Sequence, residues 1–192
     1  MIITQTPLRI GLVGGGTDLP GYYREHGGRV LNSAIDKYIF VIVKERFDND
    51  IYVNYSKKEI VSDLDQLEHE LVREAMRMTG VTEGVEVTML ADIPSAGSGL
   101  GSSSSVTVGL LQALWAYRGH HAGAKELAEG ACAIELDICG KRIGKQDQYI
   151  AAYGGIRDIH FGPGEEVCAE EIELSPTERH AFQEQVMLFY TG

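Results

Sequence analysis

Three glycines and six serines crowd into Pro94-Ser95-Ala96-Gly97-Ser98-Gly99-Leu100-Gly101-Ser102-Ser103-Ser104-Ser105. Alternating glycines at 97, 99 and 101 free the backbone to curl around a ligand. Helical periodicity begins just beyond, so the serines are expected at the N-cap and first turn of a helix. Unpaired N–H groups and the positive end of the helix dipole meet there. That combination binds anions, phosphate above all, and serine hydroxyls can take a phosphate oxygen or Mg²⁺. A plain strand-to-helix turn with a serine cap is the other reading of the same spacing. Three familiar loop types are excluded. Gly140-Lys141 and Gly144-Lys145 are not followed by Ser or Thr, so there is no Walker A loop. Gly99-Leu100-Gly101 runs only into serines, so the dinucleotide pattern GxGxxG is unmet, and no G-x-S-x-G elbow occurs.

Four charged residues stand out by their surroundings. Arg9 lies between Leu8 and Ile10 in an apolar strand, where a charge is costly unless paired or aimed at a ligand. Asp18 follows Gly14-Gly15-Gly16-Thr17, a run that lets its carboxylate face a cavity. An edge-strand Arg and an Asx-turn Asp explain the two equally well. On a helix over residues 125–139, Leu127, Ala128, Ala131, Cys132, Ile134 and Ile138 share a face, and Glu135 falls in its middle. It is either a core glutamate tied to a cation or backbone donor, or a Mg²⁺ ligand, since Mg²⁺ takes hard oxygen donors and needs only one or two carboxylates. Asp147, in Lys145-Gln146-Asp147-Gln148-Tyr149, reads by itself as a helix cap. Beside it, Lys141, Arg142 and Lys145 either bind a phosphate or are helix-end cations, and the second reading is preferred.

The elements that must position these residues are mixed. Strands are expected over 8–13, 35–46, 51–55, 59–61, 85–93, 155–161, 167–174 and 186–190. Helices are expected over 64–78, stopped by Gly80, over 103–117, over 125–139, closed by Gly140, and from Ser175-Pro176-Thr177-Glu178 onward. Strict βαβ alternation is lacking, so the class is α+β, a mixed sheet packed against helices. Trp115 and the cysteines Cys132 and Cys139 read as core, and the six histidines show no ligand spacing.

Composition narrows the partners. The 192 residues carry a formal net charge of −11, which disfavours nucleic acid but not a nucleotide held by N–H groups and a metal. No apolar run approaches the ~20 residues of a membrane span, and the start is unlike a secretory signal. Three cysteines without CxxC spacing give neither a disulfide framework nor a zinc site, so a cytoplasmic protein is expected. Glycine, at 23 residues, is abundant and clustered. An apolar segment ending in Thr191-Gly192 leads to the expectation that the chain is a piece of a longer protein.

Pro94 followed by Gly99-Leu100-Gly101-Ser102-Ser103 resembles the second motif of the GHMP kinases, a superfamily of small-molecule kinases. Four residues separate Pro94 from Gly99 where three are commoner. Thr6-Pro7-Leu8-Arg9-Ile10 with Gly14-Gly15-Gly16-Thr17-Asp18-Leu19-Pro20 is similar to the first motif of one branch, the D-glycero-D-manno-heptose 7-phosphate kinases. Residues 28–38, Gly144-Lys145-Gln146-Asp147-Gln148-Tyr149 and Phe189-Tyr190-Thr191-Gly192 resemble that branch too, so the likeness spans the chain in order. The resemblance implies an N-terminal nucleotide- and sugar-binding domain over residues 1–192, with its boundary near 175–192 and a C-terminal domain absent. ATP and Mg²⁺ would be the cofactors and a small sugar phosphate the substrate, with no nucleic-acid or membrane partner. Gly97, Ser98, Gly99, Leu100, Gly101, Ser102, Ser103 and Ser104 would hold the phosphates, and Ser103 and Glu135 would lie at Mg²⁺. Gly16, Thr17, Asp18 and Asn32 would face the sugar. Asp147 would take the proton of the attacking hydroxyl or orient it, while Arg9 lowers that hydroxyl's pKa and steadies Asp147. The implied reaction is transfer of the γ-phosphoryl group of ATP to the anomeric hydroxyl of a heptose 7-phosphate. The alternatives are a galactose- or fucose-type kinase and a weakly catalytic binding fragment.

Overall fold

A computed structural model describes residues 1–93, 99–187 and 189. Seven strands form one mixed sheet. β1 (Ile2–Val13) and β2 (Gly28–Glu45) pair antiparallel along most of their length. The other edge of β2 is shared by β5 (Val85–Ala91) near its end and β6 (Ile156–Phe161) near its start. β3 (Ile51–Asn54) runs parallel to β5 and pairs with β4 (Lys58–Val61), while β7 (Val167–Glu171) closes the sheet against β6.

Helices α2 (Glu70–Thr79), α3 (Ser102–Tyr117), α4 (Ala124–Cys132) and α5 (Gln146–Tyr153) follow a short α1 (Pro20–His26), and α6 (Pro176–Glu184) comes last. Helices α2 to α5 pack together, with α3 and α5 on the sheet. α3 is the hub. It touches β1, β2, α2, α4 and α5 and sends Val108, Leu110, Leu111 and Leu114 into the core that also holds Val41, Val43, Val85 and Val87. A helix buried on nearly every side needs little amphipathic stripe, and α3 runs from four serines in its first turn to leucines at 110, 111 and 114. Its approach to the sheet is close: a Cβ on Gly109 would stand 2.8 Å from Thr6 Oγ1, and Thr4 Oγ1 donates to the Gly109 carbonyl at 3.0 Å. A second cluster joins Tyr23, Val30, Tyr149, Ile150, Ile159 and Phe161.

Several expected elements are adjusted. The helix over 64–78 is a 3-10 turn, Leu64–Gln66, followed by α2, and Gly80 caps it in the left-handed conformation as expected. The helix over 125–139 is α4 continued by a wider, π-type turn, Ala133–Ile138. The strands over 8–13 and 35–46 are the ends of longer ones. No strand forms at Val186, Met187 or Phe189, which lie beyond α6 with little packed against them; the rest of that expected strand falls outside the described residues. α6 opens on a full capping box, with Ser175 and Glu178 satisfying each other's backbone N–H groups.

Candidate active site

Arg9 is aimed by a defect in the sheet. Pro7 has no N–H for the ladder, and the β1–β2 register shifts between Pro7 and Arg9. Leu8 keeps the inward alternation of Thr4 and Thr6, and Arg9 reaches α5. Its guanidinium grips Asp147 with two bonds, Nε to Oδ1 at 2.7 Å and Nη2 to Oδ2 at 2.9 Å. A third, from Nη1, goes to the Gly99 carbonyl at 2.6 Å, and the Arg9 N–H donates to the Leu100 carbonyl at 3.1 Å. One residue therefore ties β1, the glycine loop and α5 together. Asp147 is not a cap; Lys145 holds the cap position and Asp147 sits in the first turn, where a carboxylate complements the helix dipole.

The glycine loop reaches the same point. Gly101, at φ 77°, is the N-cap of α3, so the capping residue is a glycine and the serines fill the first turn. A Cβ there would press on Asp147 Oδ2 at 3.2 Å and Arg9 Cγ at 3.3 Å. Of the residues expected to line this loop, Gly97 and Ser98 lie outside the described residues, as does the segment after Pro94 whose spacing departs from the motif. Gly99, Leu100, Gly101, Ser102, Ser103 and Ser104 are in place at the start of α3.

Glu135 is completely buried, yet fully engaged. Ser103 Oγ donates to its Oε1; Ser104 Oγ donates to Oε2 at 2.7 Å, and Gln148 Nε2 donates to Oε2 at 2.6 Å. Lys141 Nζ supplies the positive charge, 3.4 Å from Oε1 and 3.0 Å from Ser103 Oγ. The π-type turn carries this carboxylate, and such turns often occur at functional sites. Lys141 is thus drawn onto the serine loop rather than serving only as a helix-end cation. Ser103 and Glu135 offer a hydroxyl and a carboxylate side by side, a donor pair that suits Mg²⁺.

Asp18 is buried a short way along the sheet. Its Oδ1 accepts from the Gly16 N–H at 3.1 Å and from Gln146 Nε2 at 3.1 Å, and its Oδ2 from the Gln146 N–H at 3.1 Å. Gly144 backs directly onto it: a Cβ there would lie 1.8 Å from Oδ2. Asn32, also fully buried, gives Nδ2 to Gln146 Oε1 at 3.2 Å and leaves Oδ1 without a donor among the described residues. Thr17 is turned away. Its hydroxyl bridges the Gly14 and Arg29 carbonyls at 2.8 and 2.9 Å and accepts the Arg29 N–H, pinning the glycine turn to β2. Gly144, Gln146 and Gln148 were given no role of their own from the sequence. All three lie within the Gly144–Tyr149 segment, where their neutral side chains gave no charge signal.

A family model described as the GHMP kinases N terminal domain matches residues 52–155. The chain belongs to the GHMP kinase family. Among its relatives, D-glycero-alpha-D-manno-heptose 7-phosphate kinase of Campylobacter jejuni is 32% identical over 203 residues, taking in 100% of this chain and 60% of that protein. L-fucokinase/L-fucose-1-P guanylyltransferase of Bacteroides fragilis is 29% identical, over 83% of this chain and 20% of its own length. A crystal structure of a D-glycero-D-manno-heptose 1-phosphate kinase from Bacteroides thetaiotaomicron superposes with a TM-score of 0.85 at 30% identity, covering 91% of this chain and 61% of that one. This GHMP chain thus spans about three fifths of the length of these two heptose kinases. Among the described residues, no helix is long and apolar enough to cross a membrane.

Proposed function

We propose that this GHMP chain is the nucleotide- and sugar-binding part of an ATP-dependent cytoplasmic sugar kinase, and that it phosphorylates the anomeric hydroxyl of D-glycero-D-manno-heptose 7-phosphate. The observation that carries the kinase reading is the convergence of Arg9, Asp147 and the Gly101 turn at the N-terminus of α3. The heptose rests on the likeness to the Campylobacter jejuni and Bacteroides thetaiotaomicron proteins.

The first-turn N–H groups of α3, with Ser102, Ser103 and Ser104, would hold the nucleotide's phosphates, since N–H groups at a helix N-terminus favour anions. Ser103 and Glu135 would hold Mg²⁺, which when bound supplies charge neutralisation of the phosphates. Asp147 has both oxygens held by Arg9, but each keeps a second lone pair for a substrate hydroxyl. It would fix that hydroxyl in line with the phosphates and accept its proton. Arg9 would stop the carboxylate from swinging. Asp18, Gly16 and Asn32 would line the sugar side, and the orphaned Asn32 Oδ1 fits a sugar hydroxyl as its missing donor. Thr17 supports this pocket by holding the glycine turn.

The test is an ADP-release assay of the full-length protein against heptose 7-phosphate, galactose, fucose and other sugars. Turnover with the heptose phosphate is expected, and it should fall about 10²–10⁴-fold in Asp147→Asn. Turnover only with an unphosphorylated hexose would remove the heptose. Undiminished turnover in Asp147→Asn would remove the catalytic assignment. Calorimetry of the 192-residue chain with ATP and Mg²⁺ separates binding from catalysis.

A further inference from the structure

The β6–β7 hairpin carries a glutamate where a glycine is expected. Pro163 and Gly164 start the turn, the Glu165 N–H closes it on the Gly162 carbonyl at 3.1 Å, and Gly162 N–H meets the Glu166 carbonyl at 2.8 Å. In three-residue hairpin loops the last position is left-handed and usually glycine. Here Glu165 occupies it at φ 69°, the one non-glycine residue with positive φ among those described. A side chain persists in such a conformation when its surroundings over-determine it. They do: Tyr23 Oη donates to Oε2 at 2.6 Å, Arg24 Nε donates to Oε1 at 2.6 Å, and Lys145 Nζ donates to Oε2. Lys145 also lies over the Tyr23 ring, 5.0 Å from its centroid. Burial opposes the charge on Glu165, but the bonds from Lys145, Tyr23 and Arg24 outweigh it and hold its carboxyl down at about 2.

These three donors are the near neighbours, in sequence, of the Asp18 pocket. Tyr23 and Arg24 sit on α1, which starts two residues after Asp18. Lys145 stands between Gly144, which backs onto the Asp18 carboxylate, and Gln146, which gives it two hydrogen bonds. The Glu165 carboxylate therefore bridges α1, which follows Asp18 in the chain, and the Gly144–Gln146 segment that holds the Asp18 carboxylate, and does so from outside the pocket. All four side chains line a cavity of about 860 Å³ that opens between α1 and residues 141–145.

We infer that Glu165 is a positioning residue: through Lys145 on one side and Tyr23 and Arg24 on the other, it sets the gap in which Asp18 and Gln146 meet the sugar. The inference rests on the proposed function for the word sugar, but its mechanical part does not. It assigns a role to Lys145 as well, the middle of the Gly144–Asp147 segment. The strained turn is the means: a glycine at 165 would relax the backbone and release all three donors.

Native-state hydrogen exchange on the 192-residue chain tests the mechanical part. The Gly16 and Gln146 amides, both bonded to Asp18, should exchange about tenfold faster or more in Glu165→Gly and Lys145→Met. The Val30 and Ile159 amides, paired within β2 and β6, should keep their rates. Glu165→Gln, which retains a partner for the Tyr23 hydroxyl, should fall between. In the full-length protein, the KM for heptose 7-phosphate should rise about tenfold in Glu165→Gly while kcat stays within about twofold. Unchanged exchange at Gly16 and Gln146 in Glu165→Gly overturns the inference, and so does acceleration spread evenly over the sheet. An equal fall in kcat would overturn the positioning role. If no sugar phosphate is turned over at all, the proposed function fails while the exchange result still decides the tie.

Discussion

Arg9 concentrates more of the site than any other residue. Its planar fork spans both Asp147 oxygens and still reaches the Gly99 carbonyl, a geometry that a lysine ammonium cannot reproduce. In the full-length protein, Arg9→Lys is expected to keep the charge but lose the two-point grip, lowering kcat about 10–100-fold, the loss of one or two charge-assisted bonds. Steady-state kinetics check this, and a kcat within twofold of the wild type would mean that the fork is not needed. A lone arginine among Leu8 and Ile10 was legible as a residue that wants a partner or a ligand, with a plain edge-strand position equally open, because an unpaired buried charge is costly. Glu135 was legible for the same reason, and its partners Ser103, Ser104, Gln148 and Lys141 show how the cost is met. Which way Thr17 turns was not legible, because a motif places a residue near a pocket without showing that its hydroxyl bonds to the Gly14 and Arg29 backbone. Glu165 was not legible at all. Nothing in Gly162-Pro163-Gly164-Glu165-Glu166 separates a turn glutamate from a tie across three elements.

At the scale of elements, the strongly periodic pieces were readable and the short ones were not. α3 and β5 fall close to their expected spans. α1 and α5, with seven and eight residues, are too short to show a period of their own and are held by packing and by Pro20 and the Asp147 turn. The β1–β2 bulge that aims Arg9 is set by pairing between distant segments, so only Pro7 hinted at it. The turn at residues 140–146 is equally a product of its neighbours. There Gly144 matters for space, not for φ, since its Cβ would occupy the Asp18 carboxylate. Gly144→Ala is expected to displace that carboxylate and cost about 1–3 kcal/mol, in line with overpacking, with a raised KM for the sugar. Gly21→Ala makes the control: nothing lies within 4 Å of its Cβ position on α1, so it should be neutral or stabilising by up to about 1 kcal/mol. Thermal unfolding of both variants checks the pair, and equal shifts would show that the Gly144–Asp18 contact is not tight.

Across the whole molecule, a charge of −11 is organised rather than spread. Carboxylates are paired with arginines along the sheet and on α2, while the cations at 9, 141 and 145 are kept for the site. This pairing makes the fold sensitive to acid. Glu74 is the buried case: burial works against its charge, yet Arg77 and Arg73 hold its carboxyl below the usual 4.5. Asp158 beside Arg29, Glu86 beside Lys44 and Asp48 beside Arg46 are also held low, and Glu165 reaches about 2. The sign follows from linkage. Each of these groups binds its proton more weakly when folded, so the unfolded chain takes up more protons as the pH falls. The stabilisation is complete above the ordinary carboxylate values of 3.8 and 4.5 and drains away as the pH drops through the lowered folded values. Urea unfolding of the chain at a series of pH values should therefore show little change between pH 8 and about 6 and a steep loss below about 4.5. Glu74→Gln should cost about 1–3 kcal/mol at neutral pH, where two arginines lose their charged partner, and less at pH 3, below the ordinary carboxylate value, where the unfolded chain already takes up that proton. A penalty that stayed constant across this range would place the source of acid sensitivity elsewhere, in general repulsion among the remaining charges rather than in these pairs.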